Sequence, residues 1–289
     1  MDAKSASALS SGAAQLLEEI AYCAEIHKHR HDESTPCSRI VAAQDDASPF
    51  QPPEPWSGLI ESAPILFLSS NPSIDESRLE EYPEADWEIN RVRSFFNFRF
   101  NGGQGGFDYV QDGVRPLLKS GEYGRSVAFW GAVKRHADDL LGREAVPGVD
   151  YALTEVVHCK SRQEVGVKEA MDECSSNYLD RLLQVSGASV VILLGSRARV
   201  IFVTRYPDII SVSPEFGTVM QIEVGMRRRL VAFMPHPNAH MKRRLSERVS
   251  SAQLDRLRAA ASEGAFTPTG DPRQSGVMAD YPERLTADP

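Results

Sequence analysis

The sequence predicts a three-layer α/β/α sandwich built around a central, four-stranded parallel sheet. Four short apolar runs, each followed by a polar cluster, indicate the strands: residues 64–70, 151–157, 190–194 and 230–234. Runs of this length that are rich in Val, Ile and Leu are typical of strands buried on both faces. Ligands of such sheets bind beyond the carboxyl ends of the strands, so we expect the functional residues to lie along one edge.

Helical spacing of apolar residues predicts helices over 12–24, 126–141 and 168–185, and a further helix beginning at Gly195. Residues 27–56 contain five prolines, which exclude a long helix there. We therefore divide the chain into three parts: an N-terminal helix with an irregular segment (1–56), the α/β domain (57–262), and a flexible tail rich in Pro, Gly, Asp and Ser (263–289).

The composition is that of a globular protein, because 42% hydrophobic residues in a chain of 289 suffice for a packed core. The chain has no apolar stretch of 18 residues, and its first residues lack the basic-then-apolar pattern of a signal peptide. We expect a soluble, cytoplasmic monomer without a membrane partner. Four cysteines are too few for a disulfide-rich scaffold of this length and are better suited to binding a metal.

The charge is distributed unevenly along the chain. The whole sequence carries a formal charge of −8, yet residues 225–260 contain nine Lys and Arg residues against two acidic ones. A net negative charge argues against general nucleic-acid binding, whereas a local basic stretch after the last strand can contact phosphates. We expect Lys242, Arg243 and Arg244 to bind a DNA backbone; the alternative is a solvated helix face.

Four motifs, each at a strand end and in this order, resemble the uracil-DNA glycosylase superfamily. Residues 153–159 (LTEVVHC), followed by Cys174 on a helix and by 190–198, are similar to its iron-sulfur branch. Residues 69–73 (SSNPS) resemble the Gly-x-Asn-Pro-Gly motif of the mismatch-specific and single-strand-selective branches, and residues 235–238 (PHPN) resemble the His-Pro-Ser-Pro loop. The resemblance spans about residues 60–245 and implies the glycosylase fold for this region.

This resemblance assigns a role to each motif. Glycosidic bond hydrolysis passes through a sugar with oxocarbenium character, so the site needs a positioned water and donors to the departing base. By resemblance, Asn71 holds that water and His236 donates to a base carbonyl, with Ser70 and Asn238 also contacting the base. A base swung out of the duplex stacks on an aromatic ring, and the sequence offers Phe96, Phe98 or the adjacent Phe95.

Each of these residues taken alone has an ordinary structural alternative. Asn-Pro is a common turn dipeptide, the Phe cluster suits a core, and a His after a strand is often a loop residue. The joint placement at one sheet edge is what favours the functional interpretation.

Glu155 departs from the family pattern, because related enzymes place an Asn near this position to bind uracil. An ionised carboxylate only accepts hydrogen bonds, so it suits the exocyclic amine of cytosine. We therefore expect the target to be a modified cytosine, such as the glucosylated hydroxymethylcytosine of phage DNA, removed in base excision or antiviral defence. The alternative is that Glu155 faces a core helix or a basic neighbour.

Cys23, Cys37, Cys159 and Cys174 are the expected ligands of a structural 4Fe–4S cluster, as the resemblance implies. Thirteen residues, three of them histidines, lie between Cys23 and Cys37, whereas the iron-sulfur branch begins with two close cysteines. Cluster ligands need to converge in space more than in sequence. Zinc bound by Cys and His, or no metal at all, remain alternatives.

The predicted function is thus a monofunctional DNA glycosylase. A uracil-DNA glycosylase acting in repair, a catalytically inactive DNA-binding module, and a flavodoxin-like nucleotide-binding enzyme are the alternatives. The inactive module would not depend on Asn71, and the nucleotide-binding enzyme would bind a free nucleotide without DNA.

Overall fold

A computed structural model describes residues 9–29, 32, 34–44, 50–74, 80–84, 86–100, 109–210, 213–237, 239 and 244–263. The helices in this part of the chain are α1 (Ser11–Ala21), α2 (Ala24–His29), α3 (Ser38–Ala42), α4 (Ile89–Phe98), α5 (Ala128–Leu141), α6 (Val167–Val185), α7 (Ser196–Arg205), α8 (Leu245–Arg248) and α9 (Ser251–Glu263). The strands are β1 (Ile65–Ser69), β2 (Val110–Gln111), β3 (Arg115–Pro116), β4 (Tyr151–Glu155), β5 (Val190–Leu194), β6 (Val219–Val224) and β7 (Arg227–Met234).

The central sheet contains the four predicted strands and, within the described residues, one more. Its order is β4-β1-β5-β7-β6, and β4, β1, β5 and β7 run parallel. The prediction of four strands was wrong because β6 pairs antiparallel with β7 at the sheet edge. Alternate residues of β6 are exposed, so it lacks the continuous apolar run that marks the buried strands.

Helices cover both faces of this sheet, which confirms the α/β architecture. Successive strand residues point to opposite faces: Leu66 and Leu68 pack with α1, α4, α6 and α7, whereas Ile65 and Phe67 pack with α5, α8 and α9. The buried residues of α1 belong to the same core as the sheet, so the N-terminal segment is attached to the domain rather than separate from it.

The helices at 12–24, 126–141 and 168–185 are confirmed as α1, α5 and α6, within a few residues at each end. Helix α1 begins where the Ser10 hydroxyl accepts a hydrogen bond from the amide of Ala13, and α5 ends at Gly142 with a φ of 64°. The segment 27–56 is less irregular than expected, because α2 extends into it and α3 forms within it. Residues 264–289, nearly all of the predicted tail, lie outside the described part of the chain.

None of the helices described is both long and apolar enough to cross a membrane.

Candidate active site

A cavity of about 500 Å³ lies beyond the carboxyl ends of the parallel strands. Asn71 follows β1, Glu155 ends β4 and His236 follows β7, and all three line this cavity. Ser70 lines it as well. The structure therefore brings together four of the seven residues assigned to catalysis and base binding.

The loop that carries Asn71 is attached to the loop after β4. The amides of Val156 and Val157 donate to the carbonyls of Ser69 and Ser70, both at 3.0 Å, and these bonds continue the parallel pairing beyond the strands. The side-chain amide nitrogen of Asn71 donates to the carbonyl of Pro72 at 2.9 Å, and its oxygen accepts from the Ser70 hydroxyl at 3.3 Å. The amide group is thus oriented before any ligand binds.

His236 is held against an aromatic ring and a glycine. Its imidazole stacks on Phe129, with the ring centroids 5.6 Å apart and the planes 23° from parallel. Gly195, which follows β5, has a φ of 94°, and a Cβ there would lie 3.3 Å from the Cβ of His236. Burial lowers the pKa of His236, although Glu164 opposes the shift. His236 is therefore neutral at pH 7 and can donate one N–H to a base carbonyl.

Glu155 is buried, with 5% of its surface exposed. Its Oε1 accepts a weak hydrogen bond from the Ser69 hydroxyl at 3.5 Å, and its Oε2 has no partner among the described residues. Burial, and after it the nearby carboxylate of Glu54, raise the pKa of Glu155 well above its ordinary value. This shift opposes the ionised carboxylate expected from the sequence, because burial favours the neutral, protonated form.

Two ion pairs form the wall of the cavity beside Glu155. Arg99, buried after α4, donates to Glu54 at 2.9 Å, and the Nζ of Lys160 donates to Glu80 at 2.6 Å. The second guanidinium nitrogen of Arg99 lies 3.8 Å from Glu80, which links the two pairs. The sequence carries no signal for this network, because its four members lie in different parts of the chain and all are outside the strand-end motifs.

The aromatic residues of the cavity are not the predicted ones. Phe96 is fully buried and packs edge-on against Tyr82 and Phe95, so its assignment as the stacking ring is wrong. Phe98, which is half-buried, does not line the cavity either. Phe129 and Trp130, in the first turn of α5, line it instead.

The predicted DNA-binding residues are only partly described. Lys242 and Arg243, like the predicted base contact Asn238, lie outside the described residues. Arg244 is exposed at the start of α8. The other basic cluster of this region, residues 227–229, begins β7 and so lies at the opposite edge of the sheet from the cavity. Arg229 is buried there and donates to backbone carbonyls, including that of Ser186 at 2.8 Å.

The four cysteines line a second, small cavity between the N-terminal helices and α6. Cys23 follows α1, Cys37 precedes α3, Cys159 follows β4 and Cys174 lies on α6, and all are buried and unpaired. The structure thus places all four predicted ligand cysteines on one cavity, although thirteen residues lie between the first two.

Two of these sulfurs accept hydrogen bonds from neighbouring groups. The backbone amide of His158 donates to the Sγ of Cys174 at 3.4 Å, and the Tyr178 hydroxyl donates to the Sγ of Cys23 at 3.2 Å. Burial raises the pKa of Cys37 to about 12 and raises that of Cys174 as well, so without a metal both are thiols. Across the described chain, no three His, Cys, Asp or Glu side chains are arranged around a single metal ion.

No model of a known protein family matches this chain, and no curated protein matches it.

Proposed function

We propose that this protein is a monofunctional DNA glycosylase that hydrolyses the N-glycosidic bond of a cytosine-derived base swung out of DNA. The observation that carries the proposal is the convergence of Asn71, Glu155 and His236, which follow or end three parallel strands, on one cavity. The resemblance of the strand-end motifs to the uracil-DNA glycosylase superfamily supports the same conclusion.

Asn71 and His236 act on opposite ends of the bond that breaks. The side-chain oxygen of Asn71 accepts a hydrogen bond from a water molecule and directs this water toward the sugar carbon. The attack needs no strong base, because the sugar carbon has oxocarbenium character. The neutral imidazole of His236 donates to the O2 carbonyl of the base, where negative charge develops as the bond breaks. Both groups stabilise the transition state more than the bound substrate.

The base is held by stacking and by its pairing edge. Phe129 and Trp130 offer π-faces at the cavity, and such stacking contributes about 1–3 kcal/mol per base. The carbonyl of Glu155 accepts from the exocyclic amine of cytosine, as an ionised carboxylate would. A cavity of about 500 Å³ also leaves space for a substituent on the base, which favours a modified cytosine such as glucosylated hydroxymethylcytosine.

Uracil is the second candidate target, and the protonation of Glu155 is the reason. A neutral carboxylic acid both donates and accepts, so it can pair with the imino group and carbonyl of uracil as an amide does. The excision assay must therefore include both bases.

The test is excision from oligonucleotides that each carry one target: uracil, cytosine, hydroxymethylcytosine or glucosylated hydroxymethylcytosine, in single and double strands. We expect alkali-labile abasic sites at the modified cytosine, and no strand cleavage before alkali because Lys160 is ion-paired with Glu80. Asn71→Ala should slow excision by about 100-fold or more, whereas the exposed Glu144→Gln should match the wild type. Activity confined to uracil refutes the cytosine assignment, and no activity on any target refutes the glycosylase.

We also propose that Cys23, Cys37, Cys159 and Cys174 hold a 4Fe–4S cluster that attaches the N-terminal helices to the sheet. Four thiolates are the usual ligands of such a cluster, and hydrogen bonds to the sulfurs, such as those from His158 and Tyr178, accompany it. The cluster would be structural, because none of the four cysteines lines the cavity that contains Asn71. Anaerobically purified protein should absorb broadly in the visible range, and Cys174→Ser should abolish this absorbance. A colourless protein without iron refutes the assignment.

A further inference from the structure

We propose that Glu155 is a catalytic acid, which donates its proton to the N3 atom of the cytosine ring as the glycosidic bond breaks. This inference rests on the proposed function and adds a reaction step to it. It gives Glu155 more than the role of accepting from the exocyclic amine.

The geometry that supports this role is an unpaired carboxyl oxygen at the cavity. Glu155 ends β4 and lines the same cavity as Asn71 and His236. Its Oε2 is buried and has no hydrogen-bond partner among the described residues. A buried polar atom without a partner costs free energy, and a ligand atom in the cavity would satisfy it. The N3 atom of cytosine, which lies beside the exocyclic amine, is a matching acceptor.

The neighbouring charges favour a proton on Glu155. Arg99 is paired with Glu54 and Lys160 with Glu80, so these two cations already balance two carboxylates among the described residues of this wall. An ionised Glu155 would add an unbalanced negative charge to a buried group of charges, which is costly.

Each group that faces Glu155 acts on its protonation in a known direction. Burial raises its pKa most, and Glu54 raises it further. Arg99, Lys160 and the hydroxyl of Ser69 lower it, and burial and Glu54 outweigh all three. The net shift favours the protonated acid, which is the form that a proton donor must have before the reaction.

The O–H bond of Glu155 breaks and its proton forms a bond to N3, while the C1′–N1 bond breaks and its electron pair goes to the base. The base leaves neutral, as a tautomer protonated on N3. Water adds to C1′ and loses one proton, which returns through solvent to the Glu155 carboxylate, so no electron donor or acceptor is required.

The acid also distinguishes the two candidate bases. The N3 of cytosine has a lone pair that accepts a proton, whereas the N3 of uracil already carries a hydrogen. Proton transfer therefore assists cytosine as a leaving group but cannot assist uracil in this way. Selectivity would arise in the chemical step rather than in binding.

Two measurements test this inference. Both use the base that the wild type excises fastest among the oligonucleotides named above. The single-turnover rate of the wild type should fall about tenfold per pH unit above the pKa of Glu155. Glu155→Gln, which keeps the shape and both hydrogen-bonding functions, should lose about 100-fold or more and should show no such decline. Its melting temperature at pH 7 should not fall, because the amide replaces a neutral group. The exposed Glu144→Gln is the matched control.

The second measurement needs no variant. A 3-deaza analogue of the same base carries a C–H at position 3 and cannot take the proton, so the wild type should excise it at least 100-fold more slowly. Equal rates for the analogue, or a Glu155→Gln variant with the wild-type rate and pH profile, overturn this inference alone. A wild type that excises none of the bases refutes the proposed function instead. If Glu155→Gln does not fold, the analogue decides.

Discussion

Arg99 offers a test of the charge balance at the cavity wall. Its side chain is 2% exposed, and it donates to Glu54 at 2.9 Å and to the Ser57 hydroxyl at 3.3 Å. Met has a side chain of similar length but no charge, so the replacement leaves Glu54, which is also buried, without its cation. Breaking a buried ion pair in this way costs about 3 to 5 kcal/mol. Arg99→Met should therefore lose that much free energy of unfolding in urea titrations at pH 7.

The double variant Arg99→Met/Glu54→Gln separates charge from packing. Because it removes both charges of the pair, it should be more stable than the sum of the two single losses predicts, by about 0.5 to 3 kcal/mol. The surface pair of Arg39 and Glu169 is the control, since Arg39 is 66% exposed and Arg39→Met should cost at most about 1 kcal/mol. A loss for Arg99→Met as small as that of the control, or strictly additive losses, would refute the reasoning.

Three further results are expected. Phe129→Ala should weaken binding of the flipped base by about 1 to 3 kcal/mol, measured as the dissociation constant in single-turnover titrations. Phe96→Leu should lower stability but leave this dissociation constant unchanged. Gly195→Ala should slow excision, because the added Cβ would lie 3.3 Å from the Cβ of His236 and the histidine would have to move. The φ of 94° at this position also strains any residue other than glycine. An unchanged rate contradicts this expectation. Burial lowers the pKa of His136 to about 4. Between pH 6.5 and pH 4 the histidine is therefore protonated in the unfolded chain but neutral in the folded one. The free energy of unfolding should fall by about 3 kcal/mol over this range as the pH is lowered. Urea titrations of His136→Leu should show a flatter pH dependence.

The buried strands could be predicted because they carry their signal locally. Strands β1 and β5 lie between other elements on both faces, so every residue in them except Ser69 is apolar. Residues 230–234 of β7 form a similar apolar run, and β4 begins with Tyr151, Ala152 and Leu153. In strand β6 the polar Gln221 and Glu223 are exposed between buried apolar residues, so it has no continuous apolar run and its pattern is weak for that reason. The order of the strands in the sheet depends on how helices cross over it, and no single segment specifies this.

The strand-end residues could be predicted for a related reason. In a parallel sheet the carboxyl ends meet at one edge, so any polar residue that directly follows an apolar run is brought there. Asn71 and His236 follow such runs, and Glu155 is the last residue of β4. Phe129 does not, because it reaches the cavity from the first turn of α5, and the sequence does not specify which helix begins beside the cavity.

The raised pKa of Glu155 could not be predicted either, because it depends on burial and on residues that are distant in sequence. Glu54 lies in a proline-rich segment, Glu80 in a loop and Arg99 at the end of a helix. Their charges act on Glu155 only after the loops have closed over the sheet edge. Glu155 differs from the Asn of the family that the strand-end motifs resemble, but the chemistry of that difference depends on the folded structure.

The sheet order also explains why the loops that carry Asn71 and His236 line the same cavity from different strands. Strand β5 separates β1 from β7, and neighbouring strands are about 4.8 Å apart, so the residues that follow β1 and β7 begin about 10 Å from each other. The residue that follows β5, between them, is Gly195, which has no side chain to fill the gap. Any larger residue there would contact His236 before it contacted a ligand. A glycine at this position is therefore required by the cavity as much as by the backbone turn into α7.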